Sequence, residues 1–230
     1  ATLIVPAEVA WNEGNEPALP LPVPKRPLVA PETVQTSVRV LRSGEPAMLL
    51  LSGQVLGEAG LLAAQRIAQA TGAMLRTPTQ VHRMARGHGR PPVDRIPYPV
   101  DAAVKALRSL KHMILVGAKV PVGFFAYPGK PSLMVPLDCA VHVLARPEQD
   151  GVTALEWLAD ALGAPRVVPI PEVGPKPRIA CGGFEAEAFG TTLAALLPEN
   201  AVVVEDAVTS GRAIFPPTFN AAPHDWIQIT

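Results

Sequence analysis

Residues 47–51 read Ala-Met-Leu-Leu-Leu, and residues 113–116 read Met-Ile-Leu-Val. A strand that is apolar at every position has no face for water, so it must be covered on both sides. Amphipathic stretches sit between and around these runs. Residues 31–44 put Val34, Val38 and Leu41 on one helical face and end on Gly44 as a C-terminal cap. Residues 57–72 form a second helix closed by Gly72, and residues 99–110 a third, which starts at a proline with Asp101 in its first turn. A fourth, residues 150–163, carries Val152, Leu155, Leu158, Ala159 and Leu162 between Asp150 as N-cap and Gly163 as C-cap. Further strands are predicted at 73–78, 112–118, 132–136 and 140–146. Strands alternating with helices specify an α/β fold, a doubly wound and mostly parallel sheet of Rossmann-like type.

Proline marks the borders of this block. Residues 12–31 hold six prolines and no helical period, which reads as an extended linker. Residues 164–182 form a second linker. The central α/β domain is thus expected over 32–163. The flanks resemble incomplete pieces of neighbouring α/β domains. Residues 1–11 contain an apolar strand at 2–6. Residues 183–230 give a helix with Phe189, Leu193, Leu196 and Leu197, a strand at 201–205, a turn, and a closing strand at 226–230. About 45 residues are too few to complete a domain, so both ends read as cut from something larger.

Several function classes are excluded early. Lys plus Arg and Asp plus Glu both number 20, so the basic excess of a nucleic-acid binder is missing. Two cysteines, Cys139 and Cys181, belong to no metal-binding or disulfide pattern. No apolar run approaches the roughly 20 residues that span a bilayer, and the N-terminus lacks a basic signal region. A cytoplasmic protein with no nucleic-acid or membrane partner is the expectation.

Motifs give weaker signals. Gly53, Gly57 and Gly60 follow a strand and enter a helix, but their spacing is not that of a dinucleotide fingerprint. They fit either a tight turn or a nucleotide contact. The stretch Gly117 to Lys119 follows a buried strand, where ligands of open α/β sheets bind, and fits either an anion site or a structural turn. The stretch 123–132 fails as a phosphate loop, because Phe124 and Pro131 replace required residues. Residues 81–95 gather Arg83, Arg86, Arg90 and Arg95 with His82 and His88 in what reads as a basic loop without a metal site, fitting either a solvated or subunit-contacting segment or a contact with an anionic cofactor or substrate. Glu205 and Asp206 fit either ordinary strand-end acids, the leading reading, or a ligand contact. No catalytic constellation is visible.

Taken together, "LLLSGQVLGEAGLLAAQRIAQATGAMLRTP", "HMILVGAKVPVGFFAYPGKPS" and "LLPENAVVVEDAVTSGRAIFPPT" with "PHDWIQIT" resemble the middle of the thiamine diphosphate-dependent enzymes of the acetolactate synthase-like group. The resemblance covers nearly the whole chain. It implies a decarboxylase or carboligase, a lyase or transferase, acting on a 2-oxo acid with thiamine diphosphate and Mg2+, as a homodimer or homotetramer. By the family's order, 1–11 would be the tail of a pyrimidine-binding domain, and 183–230 the start of the diphosphate-binding domain. The turn "EDAVTSG" then puts Thr209 and Ser210 forward as diphosphate contacts. Some members hold FAD without redox use, for which Gly53, Gly117 and Lys119 are the candidate positions. The family's pyrimidine-side glutamate and metal-binding segment have no counterpart here, so the 230 residues alone are expected to be inactive. The alternatives are a non-catalytic, nucleotide-binding (FAD) module and a purely structural one.

Overall fold

The computed structural model describes residues 4–14, 16–207 and 209–228. The first element is the short helix α1 (Ala7–Trp11), which buries no residue. The strand expected at 2–6 is not seen. Thr2 and Leu3 lie outside the described residues, and Ile4 and Val5 are exposed, unpaired backbone with no neighbouring strand to join. After the first proline-rich stretch comes α2 (Pro31–Arg42), with Val34, Val38 and Leu41 buried as their spacing requires.

The chain then alternates: β1 (Ala47–Leu51), α3 (Glu58–Thr71), β2 (Met74–Thr77), β3 (Arg83–Arg86), β4 (Asp94–Arg95), α4 (Val100–Leu107), β5 (His112–Val116), β6 (Ala140–Ala145) and α5 (Gly151–Ala161). Asp150 caps α5 by accepting a hydrogen bond from the Thr153 N–H at 3.0 Å, and Gly72 closes α3 in the left-handed conformation. Beyond the second proline-rich stretch lie α6 (Ala186–Leu196), β7 (Ala201–Glu205), α7 (Gly211–Ile214) and β8 (His224–Gln228). Ile229 and Thr230 of the expected closing strand lie outside the described residues.

Five strands form one parallel sheet in the order β4-β2-β1-β5-β6. All five residues of β1 are buried, as an all-apolar central strand demands. Leu49, Leu51, Ile114 and Val116 point to the face covered by α2, α3 and α5, where Ile67, Leu155 and Leu158 meet them. Met48, Leu50, Met113 and Leu115 point to the opposite face, covered by Ala103 and Leu107 of α4 with Ile96 and Met134. The sheet is therefore doubly wound. The strand expected at 132–136 reduces to one antiparallel bridge between Val122 and Leu133. Pro131 and Pro136 flank it and supply no N–H for a ladder.

The basic stretch 81–95 differs most from its sequence reading. Residues Arg83–Arg86 form an antiparallel edge to β8, and β8 pairs in parallel with β7, giving a second sheet in the order β3-β8-β7. Arg86 is 1% exposed. Its guanidinium lies 3.4 Å from the Phe215 ring centre and 4.1 Å from that of Phe219. It also donates to the Phe215 carbonyl at 2.6 Å and to the Thr218 hydroxyl at 2.9 Å. Burial pushes this guanidinium well below its ordinary pKa, with the charge of Arg95 adding to the effect; an arginine still keeps its proton. Opposite Arg86 across the ladder sits His224, also buried, whose Nδ1–H donates to the Ala222 carbonyl at 2.8 Å. The packed face of α6 is Gly190 and Ala194, while Phe189 and Leu196 are exposed. A side chain at 190 would strike the Ile214 backbone at 2.8 Å, so small residues set this contact. Among the described residues no helix is long and apolar enough to cross a membrane.

Two outcomes follow from this packing. Replacing Arg86 by Leu strips a hydrogen-bonded, ring-stacked cation from the interior and takes one donor from the Phe215 carbonyl, which keeps the Thr218 hydroxyl. Urea denaturation should register a loss of about 2–4 kcal/mol. Burial also holds His224 below the ordinary histidine range, and the charges of Arg86 and Arg90 push the same way. The unfolded chain takes up this proton near pH 6.5 and the folded chain does not, so stability falls as pH drops below about 6.5. His142 shares that direction, through burial and its neighbour His112. In thermal melts from pH 7.5 to 5, His224→Asn should flatten part of the slope; an unchanged slope would show that His224 titrates freely.

Candidate functional site

The order of the large sheet reverses at its centre. From β1 the chain moves outward through β2 to β4, then returns to the other side of β1 for β5 and β6. Two neighbouring parallel strands whose connections leave in opposite directions open a crevice at their carboxyl ends. Here the crevice lies between the turns after β1 and β5. The turn after β1 begins with Gly53 at φ +67°, and the turn after β5 is Gly117 at φ +66°. The two turns touch: the Ser52 N–H donates to the Val116 carbonyl at 3.0 Å, and a Cβ at Gly117 would lie 2.5 Å from the Ser52 carbonyl oxygen.

Gly53, Gly117 and Lys119, singled out separately in the sequence, line one cavity of about 460 Å³ together with Ser52, Tyr98 and Phe124. Gly57 is instead the N-cap of α3, and Gly60 packs against the Val55 backbone, where a Cβ would come within 2.4 Å of its carbonyl oxygen. Those two glycines serve the turn. Lys130, from the rejected phosphate loop, pairs with Asp101 of α4. Phe124, Phe125 and Tyr127 form an edge-on ring series that reaches Tyr98.

Thr209 and Ser210 are not brought to this crevice. They sit exposed in the turn between β7 and α7, and among the described residues their hydroxyls have no protein partner. Their turn flanks a second cavity of about 420 Å³, to which Ala207 and Arg212 contribute. Thr79, Gln80 and Tyr98 form the wall shared by the two cavities.

Glu205 corrects the sequence reading of an ordinary strand-end acid. It is 7% exposed, accepts from the Trp226 indole N–H at 2.8 Å and meets Arg95 at 3.4 Å. Its other oxygen lies where a side chain at Gly211 would need to be, 2.0 Å from the position of a Cβ. Arg95 in turn lies 3.7 Å from the centre of the Phe215 ring. The clue in the sequence was local: an acid ending a buried strand, with glycine six residues on and tryptophan on the next strand. Among the described residues no group of three His, Cys, Asp or Glu side chains could hold a metal ion.

The chain aligns over all 230 residues, at 42% identity, with a Mycobacterium tuberculosis protein provisionally named acetolactate synthase large subunit IlvX. Along its whole length the chain is similar to this acetolactate synthase large subunit-like protein, and it spans 44% of that relative's length. Solved structures share its fold. A thiamine diphosphate-dependent 4-hydroxybenzoylformate decarboxylase from Rhodococcus jostii RHA1 superposes over 97% of the chain and 44% of its own length, with TM-score 0.66 and 16% identity. Benzoylformate decarboxylase from Polynucleobacter necessarius covers 94% of the chain and 43% of its own length, with TM-score 0.65 and 13% identity. At these identities the likeness is one of fold. No family model matches the chain.

The crevice makes a contrasted prediction. Gly53 and Gly117 share a left-handed backbone, but only Gly117 also faces a neighbouring carbonyl. Gly53→Ala should cost about 1 kcal/mol, the left-handed penalty alone. Gly117→Ala should cost about 2–4 kcal/mol by adding backbone displacement. Equal losses in urea melts would show that the strand ends are not in contact.

Proposed function

We propose that this chain forms the central domain and the first diphosphate-facing turn of a cytoplasmic thiamine diphosphate-dependent enzyme that decarboxylates a 2-oxo acid or ligates the product to a second carbonyl compound. The observation that carries this reading is the 42% identity across the whole chain to an acetolactate synthase large subunit-like protein. The domain division follows the linkers: 1–11, then the central domain at 32–163, then 183–230. The active assembly is a homodimer or homotetramer.

The fit of the cofactor rests on the turn at the carboxyl end of β7. Thr209 and Ser210 offer two exposed hydroxyls without protein partners among the described residues, the donor type that a diphosphate takes. Bound thiamine diphosphate supplies the carbanion chemistry that a protein side chain cannot. The chain's own part is to hold and orient. Glu205, anchored by Trp226 and Arg95, packs beneath Gly211 and fixes the backbone of the turn that carries both hydroxyls. Among the described residues no group of three His, Cys, Asp or Glu side chains could hold a metal ion, and no step is assigned to Mg2+.

At the other crevice, Gly53 and Gly117 let a ligand approach the backbone, and Lys119 supplies a cation. These are the positions where a nucleotide such as FAD would bind without redox use. A second reading, a nucleotide-binding module without catalysis, is favoured by this switch-point cavity and by the lack of a catalytic constellation around it. On either reading the 230 residues alone do not turn over substrate.

The test is thiamine diphosphate binding and CO2 release from a panel of 2-oxo acids, measured on the polypeptide that carries these residues within a sequence of its relative's length. Thr209→Ala with Ser210→Ala should weaken thiamine diphosphate about tenfold or more. Unchanged binding would remove the turn from the cofactor site. A yellow, inactive protein would favour the second reading.

A further inference from the structure

Two histidines meet at the edge of the large sheet, away from both cavities. β5 and β6 run parallel with Ile114 beside His142, so His142 shares a sheet face with Ile114 and with His112, two residues earlier. The two imidazole rings lie 5.3 Å apart, with His112 Nδ1 3.2 Å from His142 Nε2. The other ring nitrogen of His112, Nε2, lies 2.9 Å from the Glu45 carboxylate in the turn before β1. One line of polar groups thus joins that turn, the start of β5 and the outermost strand, β6.

Counting hydrogens shows what this line can hold. A carboxylate only accepts, so His112 Nε2 carries a hydrogen. In the uncharged pair, His112 Nδ1 therefore accepts from the Nε2–H of His142. One added proton keeps the link, because a single hydrogen still lies between the facing nitrogens and Glu45 stands as counter-charge. A second proton puts a hydrogen on each facing nitrogen, and the link must open. Burial pushes the His142 pKa down, and the charge of His112 adds to it. The other charges around the pair are engaged elsewhere or point to water. Lys111 pairs with Asp138. On α2, Arg39 donates to the Thr36 hydroxyl and Arg42 to the Ala161 carbonyl, and on α5 Asp150 holds Thr153 and Asp160 holds Arg66. Glu32 and Glu156 of the same helices are exposed.

The link fastens a lightly held strand. β6 has a neighbour on one side only, and its first four residues are exposed or half-buried. Residues 118–139, which lead into it, cross the opposite face of the sheet, where Met134 and Cys139 pack. They also supply Val120, Pro121, Val122, Phe124 and Met134 to the wall of the 460 Å³ crevice. Their far end is tied to β5 by the Ala140 N–H, which donates to the Lys111 carbonyl at 2.8 Å, and by the Lys111–Asp138 pair. We propose that Glu45, His112 and His142 form a pH-operated clasp. It holds β6 at neutral pH and releases it when the pair takes a second proton, which loosens residues 118–139 and with them the crevice wall.

Imidazole and methionine-methyl NMR signals of the 230-residue chain, followed from pH 8 to 4.5, test this. His112 and His142 should titrate as a coupled pair in two steps, the second below about pH 6.5. The Met134 methyl should shift with that second step, while the methyls of Met48 and Met113, within the sheet, stay in place. His142→Gln keeps a donor facing His112 Nδ1 but takes no proton, so it should abolish the acid shift of the Met134 methyl and leave its neutral-pH position unchanged. His224→Asn should leave the acid shift in place, which separates the clasp from acid loss of the second sheet. Independent single-step titrations of the two histidines, a silent Met134 methyl, or an acid shift that survives His142→Gln would each overturn the proposal. Loss of the shift in His224→Asn would overturn it as well, by assigning the transition to His224.

Discussion

Arg86 determines how the two sheets of this protein can sit. A fully buried guanidinium is costly unless its hydrogen bonds and its charge find partners, and those of Arg86, for all but its Nη1 nitrogen, come from a segment 129–133 residues further along the chain. Phe215 offers its ring and its carbonyl, Thr218 its hydroxyl, and Phe219 a second ring. Arg95 stacks on Phe215 as well, within 3.7 Å. A single phenyl ring therefore receives a guanidinium from β3 and another from β4. Detaching β7 and β8 would leave both cations over water-filled space and expose Trp226. One continuous buried cluster, running from Leu49 and Ile114 to Phe215 and Trp226, gives the same result from the apolar side.

That docking has a geometric consequence. It sets the turn after β7 against the end of β4, so the 420 Å³ cavity arises between elements of different sheets. The 460 Å³ crevice has a different origin, the reversal of strand order between β1 and β5. Tyr98, at the start of α4, borders both. Two cavities with distinct causes thus share one aromatic wall, and Glu205 links the 420 Å³ cavity to the turn that carries Thr209 and Ser210.

Much of the large sheet was legible in the sequence because its code is local. All-apolar strands, Gly72 as a helix stop and Asp150 as an N-cap act within a few residues of where they stand, and each is found in its expected role. Gly53, Gly117 and Lys119 could be placed at strand-end turns for the same reason, and they line one cavity. What stayed hidden was long-range. Nothing near Arg86 distinguishes it from Arg83, which stays largely exposed and pairs with Asp225; only the rings of Phe215 and Phe219 do. Glu205 looked ordinary because Trp226 and Arg95 reach it from other strands. The expected strand at 132–136 failed for the opposite reason: its apolar residues were suitable, but the flanking prolines denied it a ladder.

The chain covers 44% of the length of its acetolactate synthase-like relative, yet within that span its two sheets behave as one packed body. The most direct measurement is amide hydrogen exchange at Arg83–Arg86 and His224–Gln228, compared with Ala47–Leu51. If Arg86 joins the sheets, the three strands lose protection together, with the same opening free energy and the same denaturant dependence. Exchange of β3 and β8 through a separate, lower-energy opening, while β1 stays protected, would contradict it.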